Sequence, residues 1–318
     1  MTPAVRRVDV LVVGSGPAGL AAATRLATAG LDVEVLERDQ QAGGVPRHCR
    51  HGGFGTPWHP LNGPGYASRA VRAAENAGAA VRTGVTALGW ADATTPALDT
   101  VGAHGHERIA ARAVLLATGA RERSRAARLI PGTRPAGILT TGELQQSVHL
   151  FGQYVGARAV VVGTGRIGHA AVGTLRRAGV AVAALVTDRP AAPRDLDARL
   201  RLGIPVLTRT TPAEILGSPR ATGLRVRRAD GRTAVLPCDT VVLTGDLAPD
   251  HDLARRGALL LDPATRAPAT DGSSRTSRSG VYAIGNLAHV TWTARMAAAE
   301  GRRVGAVVLR DLGADWAG

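Results

Sequence analysis

The feature that most constrains this chain is a glycine-spaced turn, Gly14-Ser15-Gly16-Pro17-Ala18-Gly19, set between a short apolar run and an Ala/Leu-rich segment. Residues 8–13 are almost continuously apolar, as a parallel strand covered on both faces must be. Leu20–Ala29 has helical composition and Gly30 supplies its stop. Leu31–Leu36 predicts a second strand, with Glu37 at its end. Strand, turn, helix and strand at this length make a parallel βαβ unit. Gly14 permits the tight turn out of the strand. Gly16 lets a pyrophosphate approach the backbone with no Cβ in the way, and Gly19 lets the helix pack against the strand. The free N–H groups at the start of the helix then face the phosphates. Glu37, about 20 residues on, is placed to accept both hydroxyls of an adenosine ribose.

The arrangement recurs. Ala159–Val162 predicts a strand, Gly163-Thr164-Gly165-Arg166-Ile167-Gly168 a turn, and the residues through Ala178 a helix stopped by Gly179, before a strand over Val180–Val186. Val172 takes the small-residue place that Ala23 holds in the first copy. Aligned on the stop glycines, Val186 stands where Glu37 does, so the ribose carboxylate is missing and Asp188 follows two residues later. Arg189 and Arg194 close by suit a 2′-phosphate; the alternative is a structural repeat that binds no dinucleotide. A strand over Arg112–Thr118 ends in Ala117-Thr118-Gly119, and one over Thr240–Leu243 ends in Thr244-Gly245-Asp246, which fits internal duplication. Gly280–Gly285 predicts a last short strand, followed by Asn286 and a helical stretch within Thr291–Leu312. Segments 89–111 and 217–239 read as β-rich excursions. The fold class that follows is α/β, with two Rossmann-like three-layer domains.

Composition narrows the function. The chain has 318 residues, room for roughly two domains at about 150 residues each. Its net charge is +14, yet every one of the 39 cations is Arg and no run of five like charges occurs. Aromatics are 3%, too few for base-stacking platforms. A nucleic-acid partner is therefore not expected. The two cysteines, Cys49 and Cys238, form no C-x-x-C, so no redox dithiol and no zinc knuckle is expected, and no metal. No apolar run is long enough for a membrane span or signal core, so no membrane partner and a cytoplasmic location are the expectation.

Taken in order, Gly14–Gly19 with Glu37, Ala117-Thr118-Gly119, Gly163–Gly168 and Gly285-Asn286 resemble the two-dinucleotide-binding-domain flavoproteins, the pyridine nucleotide–disulfide oxidoreductase-like enzymes of thioredoxin-reductase size. The resemblance spans essentially the whole chain and implies a discontinuous FAD domain, 1–122 with 250–318, and an NAD(P)-binding-like domain at 123–249. It implies FAD contacts from Gly14, Gly16, Pro17, Ala18, Gly19, Glu37, Arg38, Gly44, Arg47, Ala117, Thr118, Gly119, Gly285, Asn286 and Thr293. It implies NAD(P) contacts from Gly163, Gly165, Arg166, Ile167, Gly168, Asp188 and Arg189. Gly43-Gly44-Val-Pro-Arg47-His48, His51-Gly-Gly-Phe-Gly55, the run through Arg121-Glu122-Arg123, and Thr140-Thr141-Gly142 add a closer resemblance. It is to the FAD-binding smaller subunit of hydrogen cyanide synthase, opine oxidase and dye-linked amino-acid dehydrogenases. The redox cysteine pair of the disulfide enzymes is absent, and the ribityl-contacting Asp of the last motif is Asn286.

The resemblance places His48, Cys49 and His51 in a loop beside the flavin. A histidine there could move a proton near neutral pH, and neighbouring histidines could lower the Cys49 pKa; a covering loop without acid–base work is the plainer reading. His289 to Thr293 would open the last helix toward the flavin, with Trp292 equally readable as a packing aromatic. The function implied is an FAD-dependent oxidoreductase in which NAD(P)H reduces the flavin and electrons pass to a small molecule or a partner redox subunit. The alternatives are an FAD-binding subunit of a heteromeric amino-acid or amine dehydrogenase or oxidase with a vestigial NAD(P) site, and a non-catalytic nucleotide-binding partner protein. A homo- or hetero-oligomer fits each.

Overall fold

The computed structural model describes residues 5–56, 58–92, 95–193, 199–200, 202–291 and 293–314; Arg194 and Trp292 lie outside the described residues. The chain runs β1 (Val5–Val13), α1 (Pro17–Thr28), β2 (Val33–Glu37), α2 (Gly63–Asn76), β3 (Ala80–Thr83), β4 (Thr86–Trp90), β5 (Ala97–Gly102), β6 (Gly105–Leu116) and β7 (Ala120–Glu122). Then come β8 (Ile138–Thr140), α3 (Thr141–His149), β9 (Arg158–Val162), α4 (Arg166–Arg177), β10 (Ala181–Val186), β11 (Val206–Leu207), β12 (Thr210–Leu216), β13 (Gly223–Arg228), β14 (Thr233–Pro237) and β15 (Thr240–Leu243). It closes with β16 (Leu247–Pro249), α5 (Asp252–Arg256), β17 (Val281–Ala283) and α6 (Ala294–Ala314). Two compact units result: Met1–Arg47 with Gly52–Arg121 and Ala248–Gly318, and His48–His51 with Glu122–Leu247.

The first unit is built on a sheet ordered β3-β2-β1-β6-β5-β4, with β17 also on β6. The pairs β3-β2, β2-β1, β1-β6 and β17-β6 are parallel, whereas β4 and β5 return as an antiparallel meander. The apolar run of β1 feeds two cores at once. Val10 and Val12 pack with α1 and α6, while Val8, Leu11 and Val13 pack with β5 and α5 on the other face. That is why no polar alternation marks this strand. Leu20 and Leu26 of α1 are fully buried, each worth about 2 kcal/mol in transfer energy. Helix α6 approaches α1 so closely that a Cβ on Gly301 would overlap the Ala18 carbonyl oxygen.

The second unit holds an all-parallel sheet, β11-β10-β9-β15-β8, and a separate antiparallel meander, β12-β13-β14. A turn at Ala229-Asp230-Gly231 joins β13 and β14, closed by Gly231 N–H to Arg228 O at 2.9 Å. The architecture is thus α/β with two Rossmann-type sheets, the first mixed around a parallel centre and the second all parallel. Element ends move slightly from the sequence reading. The last helix, read within Thr291–Leu312, spans Ala294–Ala314, and Thr293 acts as its cap: its carbonyl accepts from Ala297 N at 2.9 Å and its hydroxyl from Met296 N at 3.3 Å.

Candidate functional site

In the first unit the glycine loop divides its labour sterically. Gly14, at φ +107°, would drive a Cβ into the Ala117 carbonyl, and Gly19 would drive one into the Gly14 carbonyl. A Cβ on Gly16 would meet nothing within 4 Å. Two glycines are therefore demanded by the protein's own packing, and the middle one faces open space at the N-cap of α1, where Pro17 occupies the first turn. Amides at a helix start with space before them make an anion site.

Glu37 closes one side of this loop. Its Oε2 accepts from Ser15 Oγ at 2.5 Å and Ser15 N at 3.3 Å, and its Oε1 accepts from Asp39 N at 3.0 Å. Ser15 Oγ in turn accepts from Gly43 N at 3.0 Å, tying the loop to Gly43-Gly44. A Cβ on Gly44 would stand 2.9 Å from Gly16 Cα, so this second glycine stretch lies directly on the first. Arg47 is spoken for within its own loop, donating to Asp39 Oδ2 at 2.7 Å and to the Gln41 carbonyl. Arg38 is exposed and lies 3.7 Å from Asp250. Ala117 is buried, Thr118 Oγ1 donates to the Asp250 carbonyl at 2.7 Å, and Gly119 faces open space.

The turn after β17 completes the arrangement. Gly285 (φ +69°) opens a short 3-10 turn with Asn286 and Leu287, and a Cβ on Gly285 would come 2.8 Å from the Ala18 side chain. Asn286 Oδ1 is buried and, among the described residues, accepts no hydrogen bond. An orphaned buried acceptor is rare in native structures and asks for a partner. An open Gly16, a carboxylate beside the loop and this amide oxygen are the donor and acceptor set that the pyrophosphate, ribose and ribityl chain of FAD require, so the residues present fit that group.

The second unit repeats the loop with differences. Gly163 (φ +114°) abuts Thr244, Gly168 abuts the Gly163 carbonyl, and Gly165 is open at the N-cap of α4. Arg166 is the exposed first residue of that helix, Ile167 is half-buried, and Val172 is accommodated at 1% exposure. One sequence alignment needs correcting. Gly14 N donates to Leu36 O at 2.8 Å and Gly163 N to Val186 O at 2.7 Å, so Val186 matches Leu36 and it is Thr187 that matches Glu37. A register shift between Val182 and Ala184 places an extra residue in β10, which counting from the stop glycine could not reveal. Thr187 is buried and its hydroxyl accepts from Arg189 N at 3.3 Å; Asp188 and Arg189 follow, both exposed. A hydroxyl thus stands where the first unit has a carboxylate.

His48, Cys49 and His51 fall in the second unit. The Cys49 thiol is buried and donates to Gln145 Oε1 at 3.3 Å, and Arg50 donates to the His149 carbonyl at 3.2 Å. Burial, with Glu122 nearby, pushes the Cys49 thiol up to about 12. The expectation that adjacent histidines lower it is overturned: an apolar, anionic setting disfavours the thiolate. Burial likewise raises Glu122, against the pull of hydrogen bonds from Gly142 N and Gly245 N, each 2.9 Å. His48 is buried and His51 half-buried. Among the described residues no three His, Cys, Asp or Glu side chains converge as a metal site, and no helix is long and apolar enough to cross a membrane. Sequence reasoning missed Ser15, Gln145 and Glu300. Ser15 lay inside the motif and could have been read as the bridge from loop to carboxylate; the others depend on contacts no local pattern announces.

Residues 8–301 match the family model described as pyridine nucleotide-disulphide oxidoreductase. The chain is 28% identical over 324 residues to the alpha subunit of sarcosine oxidase from Rhizobium meliloti (strain 1021), covering 96% of this chain and 31% of that protein. It is 27% identical over 337 residues to an opine oxidase subunit from Agrobacterium tumefaciens (strain Ach5), covering 96% and 66%. The chain thus spans 31% of the length of the first of these relatives and 66% of the second. Among solved structures, the thioredoxin reductase of T. acidophilum superposes with a TM-score of 0.79 at 22% identity, over 96% of this chain and 99% of that one. With a match over most of its length and only two cysteines, both buried and neither in a disulfide, the chain belongs to the pyridine nucleotide-disulphide oxidoreductase family of flavoprotein oxidoreductases, without a redox cysteine pair.

Proposed function

We propose that the first unit binds FAD and that the chain is an FAD-dependent oxidoreductase, reduced by NAD(P)H at the second glycine loop and passing electrons to a small molecule or a redox partner. The observation that carries this reading is the contrast within the first loop: Gly14 and Gly19 are closed by packing, Gly16 is open, and Glu37 lies against Ser15. On this reading residues 1–122 and 250–318 form the FAD domain and 123–249 the NAD(P)-binding-like domain. The bound flavin supplies hydride acceptance at its ring system. The chain's part is to hold it. The amides at the start of α1 receive the pyrophosphate, Glu37 the adenosine ribose, and Asn286 a ribityl hydroxyl. The positive end of α6, capped by Thr293, would offer electrostatic support to a bound flavin ring. Thr187 in place of a carboxylate, with Arg189 two residues on, favours a 2′-phosphorylated nucleotide at the second loop.

The same Thr187 supports a second reading, in which the second loop is vestigial and the chain is the FAD-binding subunit of a heteromeric amine or amino-acid oxidase. Two relatives are named as oxidase subunits. Anaerobic titration of the flavin-loaded chain separates the readings. NADPH bleaching the flavin supports the first; a flavin that neither NADPH nor NADH bleaches supports the second. A chain that stays colourless after FAD is added back sinks both and leaves a non-catalytic scaffold.

A further inference from the structure

Glu300 lies on α6 and is only 4% exposed. A carboxylate so buried must be paired to offset several kcal/mol of desolvation. Its partners all belong to the turn that follows β17 or to its own helix. Oε2 accepts from Gly285 N at 2.6 Å in a buried bond. Oε1 makes no hydrogen bond among the described residues but lies 3.2 Å from His289 Nε2 and 3.6 Å from Arg303 Nη2. The next residue, Gly301, is where α6 touches the first turn of α1, at the Ala18 backbone, and Gly285 packs on the Ala18 side chain. One buried anion therefore sits where the glycine-loop helix, the Gly285-Asn286 turn and the last helix meet.

We propose that Glu300 is a positioning residue for the flavin: its carboxylate pins the Gly285 amide to the α1–α6 contact, so that the buried Asn286 oxygen stays presented to the ribityl chain. This rests on the FAD assignment to the first unit. Gly285 has a positive φ that its missing side chain permits; its carbonyl is held within the turn by Ala288 N at 3.1 Å and His289 N at 2.9 Å, and its amide is held by Glu300. The Gly285 N–H needs an acceptor inside the protein, and Glu300 supplies it. Because the bond requires an acceptor and not a charge, a glutamine at 300 preserves it and an alanine does not.

The test uses the full chain with Glu300→Ala, Glu300→Gln and, as a control for loosening of the same helix, Val308→Ala, whose side chain is fully buried in the core beside α1. Two quantities are read: hydrogen exchange of the peptide spanning residues 281–290 in the apoprotein, and the FAD dissociation constant by flavin fluorescence. Expected are faster exchange and about tenfold weaker FAD binding in E300A, with E300Q within about threefold of wild type and V308A unchanged in both. E300A matching wild type in exchange overturns the proposal, as does E300Q weakening FAD as much as E300A, or V308A doing so. A wild-type chain that binds no FAD defeats the functional reading instead, and exchange alone then decides whether Glu300 pins the turn.

Discussion

Replacing the three glycines of the first loop one at a time separates what the fold needs from what a ligand needs. Gly16 has φ −74° and ψ −179°, which alanine adopts without strain, and an added methyl meets nothing within 4 Å. Gly16→Ala should cost the apoprotein under about 1 kcal/mol, the difference between glycine and alanine at an N-cap. Gly19→Ala must displace either the Gly14 carbonyl or the helix, an overpacking cost of about 1–3 kcal/mol, seen as a loss of several degrees in Tm. For FAD the order inverts. A methyl at Gly16 fills the space the pyrophosphate would enter and disrupts charge-assisted hydrogen bonds worth about 1.5–3 kcal/mol each, a tenfold to hundredfold loss of affinity. Thermal unfolding of apoprotein and fluorescence titration with FAD measure the two effects. G16A that binds FAD as tightly as wild type, or that unfolds as early as G19A, would refute the reasoning.

Further predictions concern the carboxylate, the second loop and the thiols. Glu37→Gln should raise the FAD dissociation constant about tenfold with little change in apoprotein Tm; an unchanged constant in the same titration would remove the ribose assignment. Arg189→Ala should weaken NADPH about tenfold and leave NADH unchanged in anaerobic flavin reduction, and equal effects on both would move the 2′-phosphate elsewhere. Cys49 and Cys238 are held at about 12 and about 11, above the ordinary 9.0. Above pH 9 the unfolded chain ionises thiols that the native chain keeps protonated, so unfolding releases protons and stability falls from pH 9 toward 11–12. Denaturant midpoints across that range should decline less in a Cys49→Ser variant, and iodoacetamide at about pH 8 should label Cys49 only after unfolding.

Much of the fold was readable because its signals are local. Glycines at fixed spacing, apolar runs and a carboxylate ending β2 announce themselves within a few tens of residues, so both Rossmann units and the placement of Glu37 beside the loop emerged directly. What stayed hidden depends on register or on distant chain. The shift inside β10 moves the site-facing residue from Val186 to Thr187, and only strand pairing exposes it. The Cys49 thiol looked activated beside two histidines, but its environment is set by Gln145 and Glu122, far along the chain. Nothing local marks Glu300 as buried; its burial follows from the Gly285 amide, 15 residues back, that donates to it.

Whether the first unit holds FAD is tested most directly by identifying and counting the bound flavin. The purified chain, incubated with FAD and freed of excess, is denatured and its supernatant resolved by chromatography against FAD and FMN. FAD at about one per chain is expected in wild type, with its loss in G16A. No retained flavin, or FMN in place of FAD, would contradict the assignment, because Glu37 and the Gly16 opening suit an adenine dinucleotide.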